Sequence, residues 1–262
     1  MPSSALHVAR TGLEAQDARM RVIANNLSNV GTTGFKRDRA NFATLAYQDA
    51  RVAGQQSSSE TAYANGLNLG TGVSIQSTTR IESQGSLNTT GNPLDLALDG
   101  EGYFQVQLPG GQLGYTRAGN FTRSAEGQLV TTQGYAVLPA ISVPAGTTSM
   151  TIAADGTVSA TVAGSTEAQQ LGQITVASFA NPAGLQAMSD NFLQETGASG
   201  PAQIGNPGEG GRGSIRQGML EGSNVNVVEE LVDMIECQRA YEVNSKMISA
   251  VDEMLKNANQ TL

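Results

Sequence analysis

The chain has 262 residues, a length typical of one to three domains. Its formal net charge is −8, which argues against binding to nucleic acid or to an anionic membrane surface, because both need a basic patch. Its 31 glycines, 5% aromatic residues and lack of tryptophan indicate a turn-rich β protein with thin cores, rather than a compact enzyme. No run approaches the ~18 apolar residues of a membrane-spanning helix.

The first predicted element is a long amphipathic helix from Ser3 to Val30, which Ser3 or Ser4 can cap. A seven-residue count gives apolar residues at seven of its eight core-type positions, the pattern of a helix that buries one seam. These positions are Leu6, Ala9, Leu13, Gln16, Met20, Ile23, Leu27 and Val30. The stretch lacks the features of a secretory signal, so we expect a soluble protein that is cytosolic or exported without cleavage.

An irregular, extended arm is predicted over residues 31–72. Gly31, Gly34 and the threonines between them end the helix, because none of them favours helical structure. The segment from Tyr47 to Gly72 has no clear period, and residues 55–59 have the composition of a linker. Composition alone therefore favours a disordered loop.

The middle of the chain, residues 73–222, is predicted to be a domain of short antiparallel strands. Turn signals recur every ~8–12 residues, which is typical of an all-β sandwich or barrel. One strand is predicted over Gln173–Phe179, and a last one over Ser214–Leu220 precedes the terminal helix. Other predicted strands are Leu94–Leu98, Tyr103–Leu108, Phe121–Arg123, Leu129–Thr131, Tyr135–Leu138, Met150–Ile152 and Val158–Val162, after a β-prone stretch Val73–Gln84.

The last forty residues, Ser223–Leu262, predict a second long helix of the same kind. Nine of eleven core-type positions are apolar, and the two exceptions are Glu230 and Asn244. A helix of this size is roughly 55 Å long at about 1.5 Å per residue, so it needs a partner, and the first helix is the natural one. The positions are Val227, Glu230, Met234, Cys237, Tyr241, Asn244, Ile248, Val251, Leu255, Ala258 and Leu262.

The predicted fold class is therefore α+β and discontinuous. Coiled-coil helices over residues 1–30 and 223–262 form one domain, and residues 73–222 form the central β domain. The arm over residues 31–72 connects the two domains. Two helices with matching seams bury both when they fold back on one another.

Catalytic chemistry is nearly excluded by the absence of its motifs. The lone His7 has no neighbouring ligands for a metal. The only cysteine, Cys237, is better explained as a small buried side chain than as a nucleophile. Asp99 and Glu101 lie in a glycine-rich turn without EF-hand spacing, so a hairpin turn explains them. We predict no enzyme activity, no cofactor and no metal.

Three sets of residues resemble the bacterial flagellar rod and hook axial proteins. The first is Ala24–Val30 with Thr33–Arg37, and the second is Gly100–Val106 with Tyr115–Phe121. The third is the run Ser223–Val227, followed by Glu229–Val232, Met234–Ile235, Gln238–Glu242 and Asn244–Lys246. They cover the whole chain in the right order. Cys237 departs from the family pattern, which does not require a thiol there.

The resemblance implies a structural subunit that polymerises helically into a hollow, torque-transmitting tube, exported by the flagellar type III apparatus without a cleaved signal. Within the family, the chain length and the stretch after the first helix favour the distal rod, spanning the periplasm. The implied partners are further copies, other rod subunits below, the hook protein above, the surrounding ring (bushing) proteins and the export apparatus, with no nucleic acid and no membrane insertion. The alternatives are another axial subunit, from the hook or proximal rod, and a cell-wall hydrolase.

Two groups of residues are expected to carry this assembly. The first is a subunit interface on the helices, and the second is a rod-specific group on the arm. The interface group is Leu6, Leu13, Met20, Ile23, Leu27, Val30, Val227, Leu231, Met234, Tyr241, Ile248, Val251 and Leu255, and the arm group is Tyr47, Gln55, Gln56, Ser57, Ser58, Ser59, Tyr63 and Leu67.

Overall fold

The computed structural model describes residues 2–56, 63–164 and 167–260. Over these residues a long helix at each end, α1 (Pro2–Ser28) and α2 (Val227–Gln260), flanks a series of short strands, which confirms the α+β class. The strands are β1 Asp38–Thr44, β2 Gln48–Arg51, β3 Leu67–Leu69, β4 Val73–Arg80, β5 Leu87–Thr89, β6 Leu96–Asp99, β7 Tyr103–Gln107, β8 Leu113–Thr116, β9 Thr122–Arg123, β10 Leu129–Val130, β11 Val137–Leu138, β12 Thr147–Ile152, β13 Thr157–Val162, β14 Gln169–Gln173, β15 Val176–Ser178, β16 Gln186–Ala187, β17 Leu193–Gln194, β18 Gln203–Gly205, β19 Ser214–Gln217 and β20 Met219–Glu221.

The chain forms two compact units by its internal contacts. Unit 1 contains residues 1–27, 38–79 and 226–262, and unit 2 contains residues 28–37 and 80–225. The short segment that follows α1 therefore belongs to the β-rich unit. The predicted domain bounds at residues 30, 72 and 222 stay a prediction.

In unit 1 the two helices lie side by side and run antiparallel. Residues later in α1 contact residues earlier in α2, as expected when two helices fold back on one another. The contacting pairs are Gly12 with Asn244, Gln16 with Cys237, Arg19 with Asp233, and Asn26 with Glu230.

The end of α1 and the start of α2 differ slightly from the prediction. α1 ends at Ser28, two residues before its predicted end, so Val30 lies in the following turn and not on the helix. At the start of α2, Asn226 Oδ1 accepts a hydrogen bond from Val228 N at 3.1 Å, which is an N-cap contact. Glu229 and Glu230 lie in the first turn, where their negative charges interact favourably with the positive end of the helix dipole.

The arm is more regular than its composition predicts. β2 and β3 form an antiparallel hairpin, and pairing continues beyond it, since Gly54 N donates to Tyr63 O at 2.8 Å and Tyr63 N donates to Gln55 O at 2.9 Å. The Arg51 guanidinium lies 4.0 Å from the Tyr63 ring centroid, a cation–π contact that links the two sides. The expected disordered loop was therefore wrong for residues 48–56 and 63–69, and we name this element the arm hairpin.

Unit 2 is built around a sheet whose strand order is β16-β17-β8-β7-β15-β18, with β11 also pairing with β7. The three strands β12, β13 and β14 form a second antiparallel sheet. Its main core joins side chains from both sheets and from the connecting segments. Members of that core include Leu96, Leu98, Phe104, Val106, Phe121, Ile152, Val158, Ile174, Val176 and Ile215.

Two predicted single strands are each divided in the structure. Residues 173–179 belong to β14 and β15, which lie in different sheets. Residues 214–220 belong to β19, which pairs with β6, and β20, which pairs with β5. Gly218 separates the latter two with φ +72°, a conformation that glycine adopts at little cost. Period-two patterns continue across such a break, so the sequence signal does not show it.

Candidate assembly surfaces and a buried ionic clamp

The seam of the helix pair in unit 1 contains a buried polar contact. Asn26 and Glu230 are each 1% exposed, and Asn26 Nδ2 lies 3.3 Å from both carboxylate oxygens of Glu230. The Asn26 amide also donates to Asp38 O and accepts from Asp38 N, both at 2.9 Å. This contact fixes the start of α2, the end of α1 and the entry into β1 in one register, because a buried polar group left without its partner is costly.

The side chains in the middle of the seam are small or polar. Cys237 is fully buried, and its thiol donates to Gln16 O at 3.1 Å. Burial raises the pKa of the Cys237 thiol above its ordinary value, so the reactive thiolate is disfavoured. One turn earlier, Arg19 pairs with Asp233 at 3.0 Å at the edge of the seam. This placement agrees with the interpretation of Cys237 as a packed side chain.

A second set of apolar side chains remains exposed along α2. At about 3.6 residues per turn, Val228, Val232 and Ile235 lie roughly half a turn from the seam residues Glu230 and Cys237, while Met247 and Met254 lie closer to the seam, at its edge. Exposed fractions reach 68% at Val228 and 62% at Met254. We name this surface the outer stripe, and its members are Val228, Val232, Ile235, Val243, Met247 and Met254.

The predicted interface residues divide between these two surfaces. Ile23 and Val251 are buried, and Leu6, Leu13, Met20, Leu27, Met234 and Ile248 are half-buried. Val227, Leu231 and Tyr241 are exposed, as is Val30 beyond the end of α1, and the side chain of Leu255 lies outside the described residues. The seven-residue count thus selected seam residues and some exposed ones, and it left out the outer stripe.

The arm hairpin also exposes large apolar side chains. Tyr47 and Val52 are each 60% exposed, and Leu67 and Leu69 are nearly half exposed. Within unit 1 an open groove is lined by the first turns of α1, by β2 and β3, and by Met247 of the outer stripe. Of the other predicted arm residues, Gln55, Gln56 and Tyr63 are exposed, while Ser57, Ser58 and Ser59 lie outside the described residues.

Unit 2 contains a buried cluster of charges drawn from three distant parts of the chain. Lys36 Nζ lies 2.6 Å from Glu221 Oε1, with side chains only 3% and 0% exposed. Lys36 also donates to Ser83 O at 2.8 Å, and Gly85 N donates to the same Glu221 oxygen at 3.0 Å. Arg117 Nε lies 3.5 Å from Glu221 Oε2. We name Lys36, Glu221 and Arg117 the ionic clamp.

The surroundings of Lys36 in the clamp have opposing effects on its pKa. Burial lowers the pKa of the Lys36 ammonium, and the hydrogen bond from Lys36 to Glu221 opposes that shift. The second cation, Arg117, also lowers the pKa of Lys36 and is held in place by a 2.7 Å hydrogen bond to Gly100 O. A buried carboxylate shared by two cations fixes positions but contributes no proton transfer.

Backbone contacts hold the same segment against the rest of unit 2. Gly34 N donates to Glu221 O at 2.8 Å, and Gly34 has φ +67°. A Cβ at Gly34 would lie 2.6 Å from Arg117 C, so only glycine fits this approach. Asn224 Oδ1 accepts from Arg37 N at 2.7 Å, which joins the two chain passages that flank the clamp.

The clamp residues Lys36 and Arg117 lie within motifs that carry the family resemblance, but the motifs predicted no role for them. Glu221 was missed entirely, because a single acidic residue in a strand resembles a solvated one. Glu230 carried a signal, since it was one of two polar residues at core-type positions of the terminal helix. Asn26 lay between two counted positions and gave none.

Over residues 2–56, 63–164 and 167–260, no group of three or more His, Cys, Asp or Glu side chains is arranged to hold a metal ion. None of the helices described there is long and apolar enough to cross a membrane.

Three family models match the chain along its length. Residues 6–36 match the flagella basal body rod protein model, and residues 97–160 match the flagellar hook protein FlgE/F/G D1 domain. Residues 216–261 match the flagellar basal body rod FlgEFG protein C-terminal model. The ionic clamp draws one residue from each matched region, Lys36, Arg117 and Glu221. These models describe the flagellar hook and rod class of structural proteins.

Relatives that match over nearly the whole chain identify the family more specifically than the three models do. The chain is 49% identical to the flagellar basal-body rod protein FlgG of Buchnera aphidicola subsp. Acyrthosiphon pisum, over 97% of this chain and 98% of the relative. It is 46% identical to FlgG of Caulobacter vibrioides over 98% of both chains, and 32% identical to FlgF of that organism over 99% and 98%. The chain therefore belongs to the family of flagellar basal-body rod proteins. This confirms the predicted family, and since these relatives are structural proteins, it also confirms that the chain is not an enzyme.

Proposed function

We propose that the chain is the distal rod subunit of the flagellar basal body, polymerising into a hollow, stiff shaft that transmits torque from motor to hook and conducts exported subunits. The higher identity to FlgG than to FlgF within one organism favours this type over another axial subunit. We further propose export by the flagellar type III apparatus, a location spanning the periplasm, and contacts with other rod subunits, the hook protein and surrounding ring proteins.

The outer stripe is the observation that carries the proposal. α2 has already paired with α1 and still exposes six large apolar side chains, of which Val228 and Met254 are more than 60% exposed. Contiguous exposed apolar surface marks an interaction site in a soluble protein. Copies of the chain that pack their helices as coiled coils around a channel would cover it, and the seam and the outer stripe would then face different neighbours.

Ile235→Asp tests the outer stripe. Ile235 is 49% exposed in the single chain, so the variant should keep the thermal stability of the wild type. Burial of such a side chain between copies is worth about 1.5–3 kcal/mol, and a buried aspartate would reverse that gain. Electron microscopy and sedimentation of concentrated protein should therefore show tubes for the wild type and none for the variant.

The matched control is Ser245→Asp, which adds the same charge to an exposed position of α2 about half a turn from its stripe neighbours Val243 and Met247. It should assemble like the wild type. The proposal fails if Ile235→Asp also forms tubes, or if Ser245→Asp loses them equally.

The arm hairpin supports a second part of the proposal. Its exposed apolar residues, including Tyr47, Val52 and Leu67, are suited to contacts between neighbouring subunits that keep the shaft straight. Deletion of residues 50–65 should leave α1 and α2 paired and give tubes that curve. Straight tubes after the deletion, seen by electron microscopy, would contradict this role of the arm.

A further inference from the structure

The dipeptide Asn65–Gly66 lies on the returning side of the arm hairpin, immediately before β3. It is the only Asn-Gly pair in the sequence. Both residues are exposed, and Asn65 lies in a bend.

Packing explains why residue 66 is a glycine. A Cβ placed there would lie 3.0 Å from Arg51 O and 3.2 Å from Ala53 N on the opposite side of the hairpin. Glycine inside a strand pattern often marks such a close backbone approach. The consequence is chemical, because the amide nitrogen of residue 66 carries no adjacent side chain to hinder its approach to the Asn65 carboxamide.

We propose that Asn65 is a site of spontaneous deamidation. The Gly66 amide nitrogen loses its proton and attacks Asn65 Cγ, forming an N–C bond and a five-membered succinimide. The Cγ–Nδ2 bond breaks, and the leaving nitrogen takes up a proton and departs as ammonia. Water then opens the ring at either carbonyl to give aspartate or isoaspartate, so that the net change is asparagine plus water to an acidic residue plus ammonia.

The product would alter the hairpin in two ways. Either product places a new negative charge on the side of the hairpin opposite Arg51, whose guanidinium lies over Tyr63. Isoaspartate also adds a methylene to the main chain, two residues before the Arg51–Leu67 pair of the ladder. A longer main chain at this point disturbs the pairing of β3 with β2, which depends on a fixed register. The change would thus mark and loosen aged copies of the chain.

The experiment is a time course on the full-length chain at neutral and mildly alkaline pH. Peptide mapping by mass spectrometry follows conversion of each asparagine, and labelling by an isoaspartate methyltransferase counts isoaspartate. Asn68 is the internal control, because it is exposed on the same side of the hairpin, within β3, but is followed by Leu69. We expect Asn65 to convert at least about tenfold faster than Asn68, a barrier difference of about 1.4 kcal/mol, and to convert faster as the pH rises.

Two variants separate the mechanism from general instability. Asn65→Gln keeps Gly66 and should stop conversion, because the corresponding ring would have six members. Gly66→Ala should slow it, although the close approach to Arg51 O makes that variant the less conservative of the two. The proposal is overturned if Asn65 converts no faster than Asn68, or if ammonia release from the hairpin peptide continues at the wild-type rate in Asn65→Gln.

Discussion

Replacing Lys36 by methionine removes one cation of the ionic clamp while keeping a side chain of similar length. Glu221 would then be a fully buried carboxylate that retains only Arg117, at 3.5 Å, as a charged partner in the clamp. Breaking a buried ion pair by removing one partner is strongly destabilising, by about 3–5 kcal/mol, and here the buried carboxylate loses the closest of its charged contacts. The variant therefore tests whether the clamp holds unit 2 together.

The expected magnitude can be expressed as a change in melting temperature. Unit 2 spans residues 28–37 and 80–225, and for a domain of about 150–250 residues each kcal/mol lowers Tm by about 2–4 °C. A loss of about 3–5 kcal/mol thus predicts a Tm lower by about 6–20 °C. The double variant Lys36→Met with Glu221→Gln should lose less than the sum of the single variants, since it removes both charges of the closest pair.

Near-ultraviolet circular dichroism during heating of the full chain is a suitable assay. Tyr103 and Tyr115 pack edge-on against Phe179 in unit 2, so their signal reports its tertiary packing. The control is Asp99→Asn, which breaks the Arg216–Asp99 pair, whose side chains are 55% and 41% exposed. Exposed pairs contribute about 0–1 kcal/mol. A Lys36→Met variant that melts within the same small range as Asp99→Asn would refute the reasoning.

The remaining predictions concern single residues. Gly34→Ala should destabilise unit 2 by at least about 1–3 kcal/mol in thermal unfolding, because φ is +67° and the added Cβ would overlap the backbone. Gly31→Ala, where a Cβ meets nothing within 4 Å, should leave stability unchanged, and equal effects would contradict the argument. Asn26→Leu should lower the stability of the helix pair by about 1–3 kcal/mol, measured by far-ultraviolet circular dichroism, because the buried hydrogen bonds that Asn26 makes with Glu230 and with the Asp38 backbone are lost. Cys237 should react with a thiol reagent at pH 8 far more slowly in the native chain than in denaturant, because burial raises the pKa of its thiol, and equal rates would show that the seam is open.

Periodicity was sufficient to predict the two helices and unable to predict the arm hairpin. A seven-residue repeat over α1 and α2 depends only on which residues are apolar, and it placed both helices within a few residues of their ends. The arm hairpin is held by backbone pairing and by the contact of Arg51 with Tyr63. Neither leaves an alternating pattern in a Gln- and Ser-rich segment, so composition gave the wrong answer there.

The ionic clamp was beyond sequence reasoning for a different physical reason. Lys36, Arg117 and Glu221 are each unremarkable charged residues among polar neighbours, and charge at an exposed strand or turn is the common case. Their burial depends on which strands meet, and that is decided by pairing such as that of β20 with β5. Where a polar residue interrupted an apolar repeat, as Glu230 does, the pattern itself carried the signal of a buried polar contact.

The two buried polar contacts share one topological property: each joins an early residue to a late one. In unit 2 Lys36 meets Glu221, and in unit 1 Asn26 meets Glu230. Nearly the whole chain lies between the partners, so neither contact can form until the C-terminal segment is present. Closing so long a loop costs entropy that only the completed unit offsets. Each unit thus depends on both ends of the chain, and an N-terminal fragment would expose Lys36 and Asn26 without the acidic residues that hold them.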